Sequence, residues 1–215
     1  MSLGFYPITQ DSINWLCSRD PELGSVMHWK EPPKRKLYPD LFNGLVFYVI
    51  SQQISAKAAA TEWSRLQELY GPTTAEHMVS LAPEEIQKCG TTLRRSGYIL
   101  AIVHEVVSGH IDLDELAGIP DDEFMRQIVR LPGIGEWTAK MLLVHVLCRP
   151  DIISFKDLAI LRGMRMVYQM PKIGREEFER YRELYAPYAT TATIYLWAIS
   201  ADAAGKLPDP ARAGR

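Results

Sequence analysis

Apolar side chains recur every three to four residues along most of this chain, with polar side chains between them. That period is the mark of amphipathic helices. Leu41, Leu45, Val49 and the Gln52-Gln53 pair follow one another at this spacing, so Asp40 is expected to cap a helix running to about Ser55. An alanine-rich helix is predicted over 57–70, where Gly71-Pro72 stops it. Shorter helices fit 74–81 and 83–88, the second opened by Pro83. Further helices are predicted over 95–107, 121–130, 136–147, 157–168, 176–185 and 188–204. No segment alternates with a period of two between hairpin signals. The fold class is therefore all-α.

Composition narrows the picture. The 215 residues are 47% hydrophobic, enough for one large domain or two small ones with a real core. The formal net charge is only −2, which counts mildly against a nucleic-acid binder. Local basic clusters matter more for steering: Lys34-Arg35-Lys36, Arg94-Arg95, and Arg162 with Arg165. Cys17, Cys89 and Cys148 lack zinc or disulfide spacing, and an iron–sulfur cluster needs four cysteines. The five histidines are not at metal spacing, so no metal ligand is expected. No basic-then-apolar leader opens the chain, and the longest apolar run, 141–147, is too short to span a bilayer. The tail 206–215 has two prolines and little apolar content, and is expected to fray.

The most informative stretch is helix, then Leu131-Pro132-Gly133-Ile134-Gly135, then helix. Pro132 ends the first helix, and the two glycines permit positive φ and close approach. The next helix starts at once, so turn and first-turn N–H groups point outward and suit a phosphate. Ile134 can anchor the turn in the core. Taken alone, a Gly-x-Gly turn is no more than a tight helix connection.

The run Leu131-Pro132-Gly133-Ile134-Gly135-Glu136-Trp137-Thr138-Ala139 resembles the helix-hairpin-helix signature of base-excision DNA glycosylases. Within that superfamily the chain is similar to the 3-methyladenine DNA glycosylase II branch. The likeness continues in Phe42-Asn43-Gly44-Leu45-Val46, in Ile50-Ser51-Gln52-Gln53-Ile54-Ser55, in Asp157-Leu158-Ala159-Ile160 with Arg162-Gly163, and near Tyr195-Leu196-Trp197. It implies two interleaved helical subdomains flanking a DNA-binding cleft. The division expected is an N-terminal segment 1–39 packing with the C-terminal helices, a subdomain 40–168 carrying the hairpin motif at 121–147, closing helices 169–205, and the tail. The activity implied is hydrolysis of the N-glycosidic bond of alkylated purines in duplex DNA, leaving an abasic site.

The resemblance makes Asp157 the catalytic carboxylate. Breaking a glycosidic bond builds positive charge on the sugar, and a fixed anion beside it stabilises that charge and orients water. A helix N-terminus favours the ionised form. Ser154-x-x-Asp157 also reads as a capping box, and the two roles can coexist. Many relatives carry a second acidic residue just before this one; here it is Lys156.

Lyase relatives attack the sugar with a lysine two residues after the last hairpin glycine, and this chain has Trp137 there. Simple hydrolysis is expected, with Lys140 as the fallback nucleophile. Trp137 and Trp197 match aromatic positions of the base pocket and suit a cationic methylated purine, although core packing is the usual fate of a tryptophan. Met141 is expected as a softer pocket wall. Gln53 matches a glutamine that reaches into DNA, and the alternative is that Gln52 and Gln53 satisfy buried backbone groups. The hairpin's DNA contacts fall to Leu131, Gly133, Ile134, Gly135 and Thr138. Leu93, within Gly90-Thr91-Thr92-Leu93-Arg94-Arg95, matches the wedge that fills the hole left by a flipped base, with Arg94 near phosphates. Equally, Leu93 reads as the first buried residue of the next helix.

The implied partner is double-stranded DNA containing damaged bases, with no membrane and no cofactor. A monovalent cation on the hairpin carbonyls is left open. A monomer in the cytoplasm, near the nucleoid in a bacterium, fits this reading. The rivals are a glycosylase for a different damaged base, and a non-catalytic helix-hairpin-helix module that only binds DNA.

Overall fold

The structure, a computed structural model, describes residues 4–29, 31–201 and 207–212. Its α-helices are α1 Gln10–Arg19, α2 Pro21–Trp29, α3 Leu41–Ile50, α4 Ala56–Tyr70, α5 Ala75–Met78, α6 Pro83–Gln87, α7 Leu93–Val107, α8 Leu113–Gly118, α9 Asp121–Ile128, α10 Glu136–His145, α11 Leu158–Tyr168, α12 Arg175–Tyr185 and α13 Ala189–Ser200. A short 3-10 turn, Pro210–Arg212, follows. Polar caps decide where many of these begin. Thr9, Asp40, Ser55, Thr74, Thr92, Asp112 and Asp157 each accept a backbone N–H two or three residues on, satisfying donors that the helix itself cannot.

The described chain divides into two units. The first is Tyr38–Leu147, residues 38–147. Here α3 is the central element: its Leu45, Val46, Val49 and Ile50 are fully buried, and α4, α7, α8 and α10 pack on it. The hairpin joins α9 to α10 within this unit. The helix expected to reach Ser55 stops at Ile50, and 51–55 form a turn in which Gln53 takes φ +58. Two glutamines in that turn replace the apolar repeat, so nothing holds a further helical turn to the core.

The second unit is Gly4–Leu37 with the residues from Cys148 onward. α1, α2, α11, α12 and α13 form it, and α11 packs on both α13 and α2. Its N-terminal segment is held by one isolated antiparallel bridge, Phe5 to Lys36. Residues 4–6 and 35–37 pair as extended chains, with Tyr6 N donating to Arg35 O at 2.8 Å and Leu37 N to Gly4 O at 3.0 Å. Polar groups at its centre are satisfied by one another. The Tyr168 hydroxyl donates to Asp20 Oδ2 at 2.5 Å and meets the Tyr185 hydroxyl, while Asp20 Oδ1 accepts the Leu23 N–H at 2.9 Å.

Two expectations about organisation are corrected. Residues 148–168 were expected with the hairpin subdomain, but they belong with the N-terminal and C-terminal segments. The reason is packing: α11 meets α13 so closely that a Cβ on Gly163 would collide with the Leu196 backbone. The frayed tail is also corrected over 207–212. Asp209 is buried, and Arg165 donates to both of its oxygens, Nε at 3.0 Å and the guanidinium NH2 at 2.9 Å, with Arg162 within 3.5 Å. The remainder of the expected tail, 206 and 213–215, lies outside the described residues. So do 202–204 of the last predicted helix, whose observed end is Ser200. Among the described residues no helix is long and apolar enough to cross a membrane.

Candidate functional site

The hairpin unit shows how one glycine is used. Gly133 has φ +78, in the left-handed region that side chains rarely adopt, and a Cβ there would meet Tyr98 Cδ2 at 2.5 Å. The Tyr98 ring thus packs on the bare Cα. Gln52 Nε2 donates to the Gly133 carbonyl at 2.7 Å, and Arg95 donates to the Gln52 carbonyl. Arg94 Nε donates to the Tyr98 hydroxyl at 2.7 Å. The turn at 51–55, the first turns of α7 and the hairpin are therefore tied together through four side chains.

Gly135 behaves differently from the expectation. Its φ is −99, ordinary extended backbone, and a Cβ would meet nothing within 4 Å. What it supplies is open space at the N-terminus of α10, which no side chain caps. Leu131 and Ile134 are buried, so their side chains anchor the turn and only their backbone can face a ligand. Thr138 is buried as well.

Trp137, in the first turn of α10, is half-buried, and Tyr48 meets it edge-on with ring centroids 6.1 Å apart. Tyr48 is itself held by His145 Nδ1 at 2.8 Å. Lys140 pairs with Glu136 at 3.6 Å. Met141, expected as a softer pocket wall, is buried on α10. Gln53 is exposed, while its neighbour Gln52 turns to the hairpin. Leu93 is the first residue of α7 and 47% exposed, so it is not the first core residue of that helix. Arg94 beside it is exposed too.

The second unit holds Asp157. It is the N-cap of α11, not the closing residue of a box begun by Ser154. Oδ1 accepts Ala159 N at 2.9 Å and Ile160 N at 3.1 Å. Oδ2 accepts Trp197 Nε1 at 3.1 Å. The residue is 6% exposed. Leu158, next along, is 80% exposed and marks the solvent side of this helix start. Trp197 is 8% exposed, and the Arg35 guanidinium lies over its ring, 4.5 Å from the centroid.

Sequence reasoning missed Tyr98 and Arg35 as site residues, while Gln52 takes the backbone-satisfying role that was one of two readings for the glutamine pair. Arg35 was visible only as part of a basic cluster. Tyr98 carries no local signal, because its partner is 35 positions away, at Gly133.

Comparison with known proteins places the chain in a family. The chain is 30% identical over 164 residues to DNA-3-methyladenine glycosylase 1 of Schizosaccharomyces pombe, covering 74% of this chain and 72% of that protein. Its fold is similar to a crystal structure of a DNA-3-methyladenine glycosidase from Bacillus halodurans, with a TM-score of 0.79 at 26% identity over 94% of this chain and 95% of the other. It is also similar to the Schizosaccharomyces pombe 3-methyladenine DNA glycosylase solved in complex with abasic DNA, with a TM-score of 0.76 at 27% identity, covering 87% and 95%. Residues 46–187, which include the hairpin and Asp157, match one sequence family, and the chain belongs to it: the HhH-GPD superfamily of base excision DNA repair proteins.

Proposed function

We propose that this protein is a monofunctional DNA glycosylase that hydrolyses the N-glycosidic bond of alkylated purines, of the 3-methyladenine type, in duplex DNA. The relatives bear that activity in their names. The observation that carries the reading within this chain is the fixed carboxylate of Asp157, whose two oxygens accept three N–H groups at the start of α11.

The chemistry follows from an anion held in one orientation. As the bond from C1′ to the base nitrogen breaks, its electron pair leaves with the base, and the sugar becomes cationic. A pre-oriented carboxylate stabilises that cation without reorganising. Water then adds its oxygen to C1′ and gives up a proton, with Asp157 as the acceptor. The products are a free base and an abasic site. An alkylated purine already leaves readily, so no strong acid is needed opposite the carboxylate.

The hairpin serves the DNA backbone. The uncapped α10 N-terminus, with open space at Gly135, suits a phosphate. Leu93 is exposed as a wedge would need to be, with Arg94 beside it for a nearby phosphate. Trp137, half-buried in the first turn of α10, is a better candidate than Trp197 to stack on a cationic base. In this proposal Gln53, exposed at a turn where its φ is +58, meets DNA. The reaction uses no cofactor. The proposal admits a monovalent cation at the hairpin carbonyls, of which those of Leu131 and Gly133 accept Ile134 N and Gln52 Nε2.

The absence of lyase chemistry rests on Trp137 at the nucleophile position and on Lys140 being paired with Glu136. Incubation with 3-methyladenine-containing duplex and borohydride should trap no covalent adduct. A trapped adduct overturns the monofunctional assignment.

One observation favours a second reading. Asp157 is 6% exposed and caps a helix, as a purely structural aspartate does. The protein would then be a non-catalytic DNA-binding module. An excision assay on a panel of defined lesions separates the two. The proposal expects release of methylated adenine by the parent and a loss of about a thousandfold or more in Asp157→Asn, as befits a group facing transition-state charge. Release by neither protein would favour the binding module, and equal release by both would keep the activity but remove Asp157 from the reaction. Preferential release of a deaminated or oxidised base would change the substrate class.

A further inference from the structure

The base pocket of the proposed reaction was expected to use Trp197 as a stacking wall. The geometry points to a different role. Trp197 is a positioning residue that holds Asp157 through its indole N–H, and Arg35 holds Trp197 in turn. This inference rests on the glycosylase reading.

The argument starts with what a carboxylate needs. Oδ1 of Asp157 is fixed by two backbone N–H groups of α11, which orient it but leave the second oxygen to be placed by something outside the helix. Trp197 Nε1, on α13 and 3.1 Å from Oδ2, donates to it from outside the helix. An indole N–H donates and never accepts, so this contact tolerates only the anion or a rotated acid. It is charge-assisted and buried on both sides, the class of hydrogen bond that is stronger than a neutral one.

Trp197 cannot at the same time offer an open face. It is 8% exposed, and the Arg35 guanidinium covers one side of the ring at 4.5 Å from the centroid. A cation already occupies the position that a cationic base would want. Arg35 is in turn placed by backbone, since its carbonyl accepts Tyr6 N in the paired segments 4–6 and 35–37. A second constraint sets the ring itself: α13 carries Trp197 against α11, with the Leu196 backbone on Gly163. Arg35, Trp197 and Asp157 thus form one chain of contacts inside the second unit, reaching from the N-terminal segment to the carboxylate.

The test removes the N–H and keeps the ring. 3-Benzothienylalanine placed at position 197 alone substitutes sulfur for the indole nitrogen with nearly the same shape. Single-turnover excision from a 3-methyladenine duplex, at saturating enzyme, is compared with the dissociation constant for the same DNA. The expected result is a rate lowered on the order of 10- to 100-fold, the factor that a charge-assisted hydrogen bond converts to, with binding unchanged. Trp197→Phe should behave alike. Arg35→Ala should slow the reaction about 3- to 10-fold, and Arg35→Lys should recover most of that. Thermal melting of each variant guards against a simple folding loss, and the sulfur analogue remains decisive where Trp197→Phe unfolds. A parent-like rate with the sulfur analogue overturns the inference and leaves the glycosylase reading standing. So does a variant that loses affinity for lesion DNA but keeps its rate, which is what a stacking wall predicts. A parent that releases no base overturns both.

Discussion

Gln52 Nε2 donates to the carbonyl of Gly133 at 2.7 Å, across 81 positions of sequence. The contact fixes the one hairpin residue whose φ is positive. Gln52→Ala should therefore cost about 1 kcal/mol of stability, the usual net worth of one such bond. It should also weaken DNA binding by a similar factor for every sequence and every lesion, because backbone contacts carry no sequence information. Fluorescence anisotropy on several duplexes checks this. A loss confined to lesion-bearing DNA would count against it.

The Tyr98 ring makes Gly133 far less forgiving. Gly133→Ala adds a Cβ both at φ +78 and 2.5 Å from Tyr98 Cδ2. Strain and overpacking together should cost about 2–5 kcal/mol. Gly133→Ala combined with Tyr98→Ala should recover the packing part and leave the backbone part. Denaturant unfolding of the single and double variants measures both. Equal losses in the two would mean that Tyr98 is no obstacle.

Much of this fold can be read in the sequence because helices announce themselves locally. The cap at Asp40, the stops at Gly71 and Gly109, and the Leu-Pro-Gly-Ile-Gly turn all act within a few residues. What periodicity does not encode is which partner each helix buries its face against. Residues 148–168 look like a continuation of the hairpin subdomain until α11 is seen on α13 and α2. The site divides in the same way. Asp157 and the hairpin carry motifs, whereas the contacts of Asp157 with Trp197 and of Gly133 with Tyr98 are long-range. On α10, apolar on most sides, the pattern gave no ground for separating half-buried Trp137 from buried Met141. Gln52 and Gln53 are chemically identical and differ only in the backbone turn, φ +58 at the second.

Leu93 stands 47% exposed at the first position of α7. Removing an exposed side chain should change stability by no more than about 0.5 kcal/mol. Leu93→Ala should nonetheless lower excision from duplex DNA, by about tenfold, because the unstacked gap loses its filler. A single-stranded substrate needs no such filler and should be affected less. Equal effects on the two substrates would remove Leu93 from the flipping step.

Close packing at Gly163 sets the distance between the carboxylate and its indole donor. Its missing Cβ lets the Leu196 backbone approach, and Trp197 is the next residue along α13. Gly163→Ala should push α13 away at a cost of about 1–3 kcal/mol. Excision should fall further than the loss of folded protein explains, since Trp197 Nε1 leaves Asp157 Oδ2. Rates normalised to folded enzyme check this. A normalised rate equal to the parent would show that the helix spacing does not matter to the carboxylate.

Asp209 ties the C-terminal segment to α11 and makes part of the stability depend on pH. The hydrogen bonds from Arg165 hold its carboxyl below the ordinary range, against the opposing effect of burial, with the Ala211 N–H and the charges of Arg165 and Arg162 adding to the depression. In the unfolded chain the same group titrates near its ordinary value of about 3.9. The folded protein therefore binds this proton less readily than the unfolded one. Its contribution is present in full above the unfolded value and disappears as pH falls through the lower, folded value. Asp209→Asn should melt below the parent near neutral pH, and the gap between the two should close as the pH is lowered past about 4. Melting temperatures of both proteins across pH 2.5–7 would read this out, taking that span as roughly the usual carboxylate window. A gap of constant size at every pH would mean that Asp209 holds the tail by shape and not by charge.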